Sequence, residues 1–428
     1  MLSKRKSEVF IMKVLIISAA FPPMKAGEVD HALHLCRRLT GQGLEVQVLT
    51  TVNNLASIDV QASIYPVMRD WSWSDLPALA RVIKRCSPDA VLLFYSSWIY
   101  KYHPMITFAP TLCKMLRPGV TFVTQFAIPD GAQPQNASLL AKVVRKGAVW
   151  LAGKSKVDYY FGTLLRDSDR IIVFSEHHGA WLESRSSGLT AKTLLIPPPP
   201  LMNMCAENGG ASRKSGRARL GAGDDDFIIA FFGYAYRNKG LETLVQAFSM
   251  LNGDLARRRL VFIGGRSDSR EGSSYAAEIV ALCRELRVDG QVTWTGEYSW
   301  DSDEGSLYLR AADLCVLPFD DGVMLNRSSF AAAAAHGLPI VTTQGSNLES
   351  QFEDGKNVIL CPPKDPARLA AAIQSIVNNP ELRTRLRQGA LQLAENWFSW
   401  DKAMKRTIDA LHNSGHSDRS AEAPVAGR

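Results

Sequence analysis

The run KVLIIS at residues 13–18 decides the fold class, because it can be read as part of a secretory signal or as a buried strand. Basic residues precede it, but Lys13 interrupts the apolar stretch and leaves only residues 14–20 free of charge. Downstream, residues 32–39 have the period of an amphipathic helix, and VQVLT at residues 46–50 has the composition of a second strand. A strand, a glycine-containing loop, a helix and a strand form a βαβ unit, so we predict a buried parallel strand at residues 13–18.

The composition is that of a large globular chain. It has 428 residues, 46% hydrophobic and 21% charged, which suffices for about two to three domains with their own cores. Seven cysteines without a CxxC pair exclude a disulfide scaffold and favour a reducing compartment. The 49 basic and 42 acidic residues give a net charge of +7, which suits an anionic small molecule, an anionic membrane surface or a nucleic acid. No apolar run is long enough to span a membrane.

The βαβ pattern continues in two halves of similar length. Short β-branched runs alternate with helical stretches up to residue 200, residues 208–226 are rich in Gly, Ser, Arg and Asp, and the alternation restarts at residue 228. Such alternation predicts an α/β fold with doubly wound parallel sheets. The predicted boundaries are an N-terminal Rossmann-like domain 12–205, a linker 206–226, a C-terminal Rossmann-like domain 227–395, a helix 396–412 that returns to the N-terminal domain, and disordered ends at 1–11 and 413–428.

Two such domains that face each other enclose a cleft. The carboxyl ends of the strands and the N-termini of the helices point into it, and ligands of open α/β sheets bind there. Backbone N–H groups at a helix N-terminus attract phosphate. This arrangement predicts an anionic ligand, and in particular one that carries a nucleotide.

Short motifs in both halves carry a resemblance to a known family. Each is weak by itself, but their order and spacing from residue 12 to residue 412 are specific. In sequence order they are KVLI (13–16), FPP (21–23), GE (27–28), GLEV (43–46), FG (232–233), KGLE (239–242), IGG (263–265), AD (312–313), LPF (317–319), HGLPIV (336–341), DGKN (354–357) and PP (362–363). With these motifs the chain resembles the family 4 retaining glycosyltransferases, which have the GT-B fold of two facing Rossmann-like domains with an interdomain cleft.

The resemblance implies an activity. Members of that family move a sugar from a nucleoside diphosphate sugar to an acceptor hydroxyl, with retention of configuration and without a required metal ion. Charge builds up on the leaving diphosphate, so fixed cations and N–H dipoles must point at its oxygens. We accordingly expect a hexosyltransferase-like enzyme of polysaccharide or cell-surface biosynthesis, with no cofactor and no metal site. Its expected partners are a nucleotide sugar as donor and a lipid-linked or saccharide acceptor.

Candidate donor-binding residues follow from the matched motifs. Lys239 matches the family lysine that pairs with the diphosphate, and a solvated lysine at a helix start is the alternative. Gly27 matches the loop glycine that lets the backbone approach the phosphates, and an ordinary turn is the alternative. After Gly233, the glycine that ends a strand, the family often has an arginine. This chain has Tyr234 there, and Arg237 is the candidate substitute.

The chain departs from the family where a pair of glutamates is expected. Counting back from residue 337 places Met324 and Ala332 at those positions. A branch of the family lacks both glutamates, and there the N-terminus of the following helix and Arg327 would hold the phosphates. Arg327 and Lys239 are therefore the predicted catalytic residues, and an arginine paired with a nearby aspartate is the alternative for Arg327. The donor-binding residues predicted in this segment are Asp321, Gly322, Val323, Asn326, Arg327 and Ser328.

The residues near the reacting sugar are less well defined. The family often has a histidine after the fourth strand of the first domain, and this chain has Phe126 there. Glu349 matches a family position near the donor ribose or a helix N-terminus, and we predict that it binds the donor, with a helix cap as the alternative. The candidates for contact with the sugar or the acceptor, each with a structural role as the alternative, are His31, His103, Gln125 and Asp130.

A basic segment raises the question of a membrane surface. Residues 137–161 interleave five Lys and Arg residues with leucine, valine and tryptophan. Such a segment can lie on an anionic bilayer, and a domain helix with a solvated basic face is the alternative. We expect a cytoplasmic protein, and peripheral binding to the inner face of the membrane stays open.

Three other functions remain as alternatives. A catalytically weak or inactive relative that binds a nucleotide sugar, or assists a partner transferase, would explain the missing glutamates and histidine. A sugar-nucleotide epimerase would need general-base carboxylates in the cleft, which the sequence does not place. A nucleic-acid binder agrees with the charge, but no zinc, helix-turn-helix or aromatic RNA-binding signature supports it, so no nucleic acid is expected.

Overall fold

The computed structural model describes residues 11–24, 26–52, 60–131, 138–206, 210–252, 257–265, 270–299 and 301–412. Each half of the chain forms one parallel sheet with helices packed around it, which confirms the predicted α/β class. The predictions for residues 1–10 and 413–428 concern parts of the chain outside these ranges. Among the described helices, none combines the length and the apolar character needed to cross a bilayer.

The N-terminal sheet has seven parallel strands. They are β1 Lys13–Ile17, β2 Glu45–Thr51, β3 Ser63–Met68, β4 Ala90–Tyr95, β5 Thr121–Phe126, β6 Arg170–Val173 and β7 Thr193–Leu195. Their order in the sheet is β3-β2-β1-β4-β5-β6-β7. The central strands are buried on both faces, and every residue of β4 is buried, which explains their continuous apolar runs. The predicted strand at residues 13–18 is therefore a central strand of this sheet.

One strand, β3, is absent from the sequence prediction. It contains Pro66, which lacks the N–H group needed inside a sheet, so its sequence argues against a central strand. The structure places β3 at the edge of the sheet, paired only with β2 among the described strands, where a proline is tolerated.

Six helices belong to this half of the chain. They are α1 Gly27–Gly41, α2 Leu76–Cys86, α3 Ala109–Leu116, α4 Leu139–Leu151, α5 Leu164–Asp167 and α6 Glu176–Arg185. Five of them have at least one buried residue, whereas α4 has none.

The C-terminal sheet has six parallel strands. They are β8 Phe227–Phe232, β9 Arg258–Ile263, β10 Val292–Trp294, β11 Leu314–Leu317, β12 Ile340–Thr343 and β13 Ile359–Cys361, in the order β10-β9-β8-β11-β12-β13. The helices of this half are α7 Gly210–Arg219, α8 Leu241–Ser249, α9 Arg270–Glu285, α10 Glu304–Ala311, α11 Ser328–Ala335, α12 Pro366–Asn378, α13 Pro380–Trp397 and α14 Trp400–His412.

Two of these helices connect the halves. Helix α7 lies in the segment read as a linker, and it is docked on the C-terminal domain because Arg213 and Arg217 reach the carboxylate of Asp313 at 2.5 and 3.4 Å. Helix α14 follows the C-terminal domain but packs on the N-terminal one. Its Met404 is buried in the same apolar cluster as Leu35 of α1.

The sheet order also locates a binding site. In each sheet the chain reverses direction next to the first strand of that sheet, between β1 and β4 and between β8 and β11. Crevices at the carboxyl ends of strands at such switch points are where open α/β sheets bind ligands. The loops that follow β1 and β8 are therefore the ones expected to form a site.

Candidate functional site

A cavity of about 660 Å³ lies between the two domains. The N-terminal domain contributes the loop after β1 and the first turns of α1, including Gly27. The C-terminal domain contributes the loop after β8, the end of β9 and the start of α11. Residues 201–203 of the connection between the domains close one side. The cavity is thus bounded by both switch-point loops.

Two glycines shape the wall formed by the C-terminal domain. Gly233 ends β8 with φ +128° and Gly264 ends β9 with φ +126°, a region that favours glycine. A Cβ atom on Gly264 would lie 2.8 Å from the carbonyl oxygen of Gly233, so the two strand ends can approach closely only without side chains. Both glycines line the cavity, and their backbone is exposed to a ligand there.

The N-terminus of α11 opens into the same cavity. Ser328 and Ser329, its first two residues, line the cavity, and no side-chain hydrogen bond caps this helix. A helix N-terminus carries a partial positive charge and N–H groups without intrahelical partners. The start of α11 is therefore suited to a phosphate group.

Two cations beside this helix lie over the same aromatic ring, that of Phe319. The Nζ of Lys239 is 5.0 Å from the ring centroid of Phe319, and the guanidinium carbon of Arg327 is 4.6 Å from it. An Nη of Arg327 pairs with Asp321 at 2.5 Å, while its buried Nε has no partner among the described residues. Burial, and then the charge of Arg327, lower the pKa of Lys239 to about 8. The pair concentrates positive charge next to the start of α11.

Comparison with known proteins finds a similarity in the second half of the chain. Residues 212–393 match the family model described as glycosyl transferases group 1. The match lies within the C-terminal half of the chain. Helix α11, Lys239 and Arg327 all lie within it.

One sequence relative is also named as a glycosyltransferase. D-inositol 3-phosphate glycosyltransferase 1 of Catenulispora acidiphila is 32% identical over 204 residues, which are 46% of this chain and 46% of that protein. The chain thus spans about half the length of the curated relatives it matches.

Solved structures extend the likeness to both domains. Sucrose-phosphate synthase of Thermosynechococcus elongatus superimposes with a TM-score of 0.67 at 19% identity, covering 94% of this chain and 98% of that one. HepE of Anabaena, solved in a complex with UDP and glucose, gives a TM-score of 0.67 at 14% identity, with coverages of 94% and 99%. These likenesses confirm the GT-B fold that the sequence predicted.

Of the predicted donor-binding residues, four line the interdomain cavity. They are Gly27, Gly233, Lys239 and Ser328. A Cβ atom built on Gly27 would meet nothing within 4 Å, so this glycine leaves open space in the cavity rather than a tight protein contact. Their role in binding stays a prediction, but the structure brings them together.

Arg237 is placed elsewhere. Its guanidinium pairs with Glu278 at 2.7 Å and lies over the ring of Tyr275, and it does not line the cavity. Arg237 and Lys239 are only two positions apart in the sequence. The structure nevertheless does not bring them together, because the chain turns between them.

In the segment before α11, two residues build the turn and one has a buried polar atom without a partner among the described residues. Gly322 has φ +88° and packs against Gly345, where a Cβ atom would lie 2.2 Å from a backbone nitrogen. Val323 is buried and its N–H donates to Thr343. These two residues build the turn, whereas Asn326 has a buried side-chain oxygen without a partner among the described residues.

Glu349 joins the two domains. One carboxylate oxygen accepts a hydrogen bond from the N–H of Glu176, at the start of α6, at 2.7 Å. The other accepts from the N–H of Leu325 at 2.5 Å. Burial raises the pKa of Glu349, and the two N–H donors oppose this shift. The structure places this residue at a helix N-terminus, which was one of the two positions considered, and not in the wall of the cavity.

Among the candidates for sugar or acceptor contact, His31 and His103 have structural surroundings. His31 is 7% exposed, its ring packs on Phe94 and Phe174, and burial lowers its pKa to about 3. His103 accepts a hydrogen bond from the N–H of Met105 and caps a short helical turn. Neither lines the cavity.

Gln125 and Asp130 lie at the end of β5. Gln125 is buried, and its amide nitrogen has no partner among the described residues. Asp130 accepts hydrogen bonds from the N–H and the hydroxyl of Ser97 and lines a second cavity on the N-terminal domain.

The opposite wall of the cavity holds residues that the sequence analysis did not single out. Asp30 and His34 are on α1 and line the cavity. Burial, and then the charge of Glu28, raise the pKa of Asp30 to about 7. The charge of Asp30 contributes to raised pKa values of Tyr234 and Tyr298 across the cavity. The helical spacing of residues 27, 30 and 34 on one face of α1 was the available signal.

The charges of the site determine what it can do chemically. Its C-terminal wall offers Lys239 and the N-terminus of α11, and Arg327 directly precedes that helix. Together they can hold a diphosphate and stabilise charge that develops on it. In the part of the chain that the structure describes, no group of three His, Cys, Asp or Glu side chains is placed to hold a metal ion.

Proposed function

We propose that this protein is a glycosyltransferase that moves a sugar from a nucleoside diphosphate sugar to an acceptor hydroxyl. One observation carries the proposal: Lys239 lines the interdomain cavity together with the first residues of α11, and Arg327, the residue before that helix, lies over the same Phe319 ring as Lys239. The match of residues 212–393 to the group 1 family model and the relative named as a glycosyltransferase support it.

The donor is a nucleotide sugar whose diphosphate lies against the C-terminal wall. HepE, which shares the fold, was solved with UDP and with UDP-glucose. In the reaction, the acceptor oxygen forms a bond to the anomeric carbon while the bond from that carbon to the diphosphate oxygen breaks. The electron pair stays on the diphosphate, and the hydroxyl proton passes to a diphosphate oxygen. Lys239 and Arg327 stabilise the charge on that leaving group.

Retention of configuration and independence of a metal ion are further parts of the proposal. Retention follows from the resemblance to the family 4 enzymes. Two cationic side chains and the dipole of α11 supply positive charge at the place where the diphosphate is proposed to leave. The anomeric proton coupling of the product measures retention, and turnover in the presence of a chelator measures the metal requirement.

The test of the activity uses a panel of nucleoside diphosphate sugars with the purified protein. Release of the nucleoside diphosphate is measured with and without a crude lipid acceptor, and thermal shift is measured with the same panel. Release that rises with the acceptor is expected. A thermal shift without release would favour the alternative of a binding protein that assists another transferase, and neither signal with any donor would contradict the proposal.

We further propose that α4 rests on an anionic membrane surface on the cytoplasmic side. Leu139, Leu140, Val143 and Trp150 are 82, 73, 64 and 68% exposed, although all are apolar. Residues 138–157 contain five Lys and Arg residues and no Asp or Glu. An exposed apolar face together with a basic one matches an interfacial helix. An acceptor attached to a lipid would then be within reach of the N-terminal domain.

Charge reversal tests the membrane proposal. The triple variant Lys142→Glu, Arg145→Glu, Lys146→Glu should lose flotation with vesicles that contain anionic phospholipid. The matched control reverses Arg387, Lys402 and Lys405, which are exposed on α13 and α14. Equal flotation of the triple variant and the wild type would contradict this part of the proposal and leave the transfer activity untouched.

A further inference from the structure

A second cavity, of about 500 Å³, lies on the N-terminal domain at the start of α6. We call it the α6 pocket. It is lined by residues 128–131 after β5, by Tyr160, and by His177, His178, Trp181 and Arg185 of α6. It therefore combines two aromatic rings with histidine, arginine and carboxylate side chains in one concave surface.

Packing contacts hold the walls of this pocket in place. The side chain of Asp158 accepts hydrogen bonds from the N–H groups of Tyr160 and Phe161 at 2.7 and 2.9 Å. The guanidinium of Arg185 lies 5.1 Å from the ring of Tyr160 and 5.7 Å from that of Trp181, and it reaches Asp158 at 3.7 Å. The Arg185 charge is thus already partly balanced, and the pocket is not a simple anion site.

One residue that lines the pocket has a buried polar atom without a partner among the described residues. His178 is 5% exposed, and its ring Nδ1 has no hydrogen-bond partner among the described residues. Its backbone N–H is already used, because it donates to the hydroxyl of Ser175. A buried polar atom without a partner is costly, so it needs a water or a ligand to bond with. A ligand hydroxyl in the pocket would supply that bond.

The pocket is connected to the segment that carries Arg327. The carboxylate of Glu349 holds the N–H of Glu176, next to His177, and the N–H of Leu325, two positions before Arg327. The start of α6 and the segment that carries Arg327 are therefore hydrogen-bonded to the same side chain. The charge of Arg327 also contributes to the lowered pKa of His178.

We propose that the α6 pocket binds a saccharide ring of the acceptor, a role that rests on the proposed transfer activity. The apolar face of the ring packs on Trp181 and Tyr160. Its hydroxyls bond to the imidazole of His178 and to Asp130, whose carboxylate Ser97 holds in place. Aromatic rings with a few placed polar groups are the usual composition of such sites. One acceptor hydroxyl is thereby directed towards the diphosphate side of the cleft.

The position of α4 fits a lipid-linked form of this acceptor. Arg145 of α4 donates a hydrogen bond to the carbonyl of Tyr159 and lies over its ring, and Tyr159 packs against Tyr160 of the pocket. The proposed membrane-facing helix and the α6 pocket are thus neighbours. A saccharide in the pocket can be joined to a lipid in the surface below α4.

Kinetics with simple glycosides test the pocket. The variants are Trp181→Ala, Trp181→Phe and His178→Ala, with Tyr102→Ala as an exposed aromatic control outside the pocket. The probes are methyl pyranosides and the same sugars with an octyl chain.

For Trp181→Ala and His178→Ala, KM for the accepted glycoside should rise about tenfold. In Tyr102→Ala, KM for the glycoside, release of nucleoside diphosphate to water and the Kd of the donor product should all match the wild type. Trp181→Phe should retain most of the affinity, which separates a stacking role from loss of folding.

Two further outcomes overturn the proposal. The first is an unchanged KM for the glycoside in Trp181→Ala and His178→Ala. The second is calorimetry that detects no binding of either glycoside series to the wild type in the presence of nucleoside diphosphate. Failure of the proposed activity has a different signature. In that case no donor is cleaved, but calorimetry still detects glycoside binding that the pocket variants weaken. Equal behaviour of methyl and octyl glycosides in the pocket variants is expected, because the chain lies outside it.

Discussion

The two walls of the interdomain cleft differ in chemistry and in how they relate to the sequence. The wall of the C-terminal domain carries cations and a helix N-terminus, and it lies inside the region that matches a family model. The N-terminal domain carries Asp30, His34 and the α6 pocket, which no matched motif indicates. A diphosphate is common to many donors, so its binding residues recur, whereas an acceptor is particular to one enzyme. The comparison predicts that variants of the cationic C-terminal wall affect the chemical step and that variants of the α6 pocket affect acceptor use.

The largest expected effect is on the cationic wall. Lys239→Ala and Arg327→Ala should each lower kcat by about 10²–10³, because each removes a fixed charge next to the leaving diphosphate. The measurement is steady-state release of nucleoside diphosphate at saturating donor. Arg219→Ala, in an exposed ion pair with Glu304 of the same domain, is the control. Full activity in both cleft variants would remove the distinction between the walls.

Glu349→Gln tests the connection between the walls. The amide replaces one carboxylate oxygen by an NH₂ group, so either Glu176 or Leu325 loses its acceptor and a buried N–H is left unpaired. The free energy of unfolding should fall by about 1–3 kcal/mol. Urea denaturation measures it, with the exposed Glu395→Gln as control. An unchanged unfolding midpoint would contradict the bridging role of Glu349.

The pH dependence of nucleotide binding should come from the C-terminal wall. The folded protein loses the Lys239 proton near pH 8, and only the protonated amine attracts the diphosphate. The Kd of a nucleoside diphosphate should therefore rise about tenfold per pH unit above pH 8, the slope for one required proton. Lys239→Arg should remove this rise.

Asp30 is the control for that titration. Its pKa of about 7 places its ionisation just below that of Lys239, and its negative charge disfavours an anionic ligand in the same cavity. Asp30→Asn should weaken the pH dependence around pH 7 and leave the rise above pH 8. A flat Kd from pH 7 to 9.5 in the wild type would contradict both assignments.

The smallest expected effect is at Gly27 on the opposite wall. A methyl group there meets no protein atom within 4 Å and projects into open space, so the fold should tolerate Gly27→Ala. The free energy of unfolding should change by less than about 1 kcal/mol. The Kd of the nucleoside diphosphate should rise several-fold, because the ligand loses room. Gly41→Ala, at the other end of α1 and equally unobstructed, should leave the Kd unchanged.

Much of the fold was predictable because it depends on local patterns. Helices α12 and α13 show such a local pattern, since Pro366 and Pro380 mark their first turns. Strand β3 was missed because Pro66 speaks against a strand unless its edge position is known. The docking of α7 on Asp313 depends on contacts about a hundred positions apart, which no local pattern reports.

The site was predictable only where a motif fixed it. Lys239 and Gly27 were found from their motifs, whereas Asp30 and His34 required knowledge of which face of α1 meets the other domain. His31 was chosen on that helix, but its ring lies in the core against Phe174. The adjacent pair His177 and His178 after β6 was a visible signal that could have indicated the α6 pocket.

A crystal structure with the tightest-binding nucleoside diphosphate tests the central claim most directly. We predict diphosphate oxygens within hydrogen-bond distance of the first N–H groups of α11, with Lys239 and Arg327 directed at the same oxygens. A nucleotide bound outside the interdomain cavity, or one that leaves Arg327 paired only with Asp321, would contradict the account.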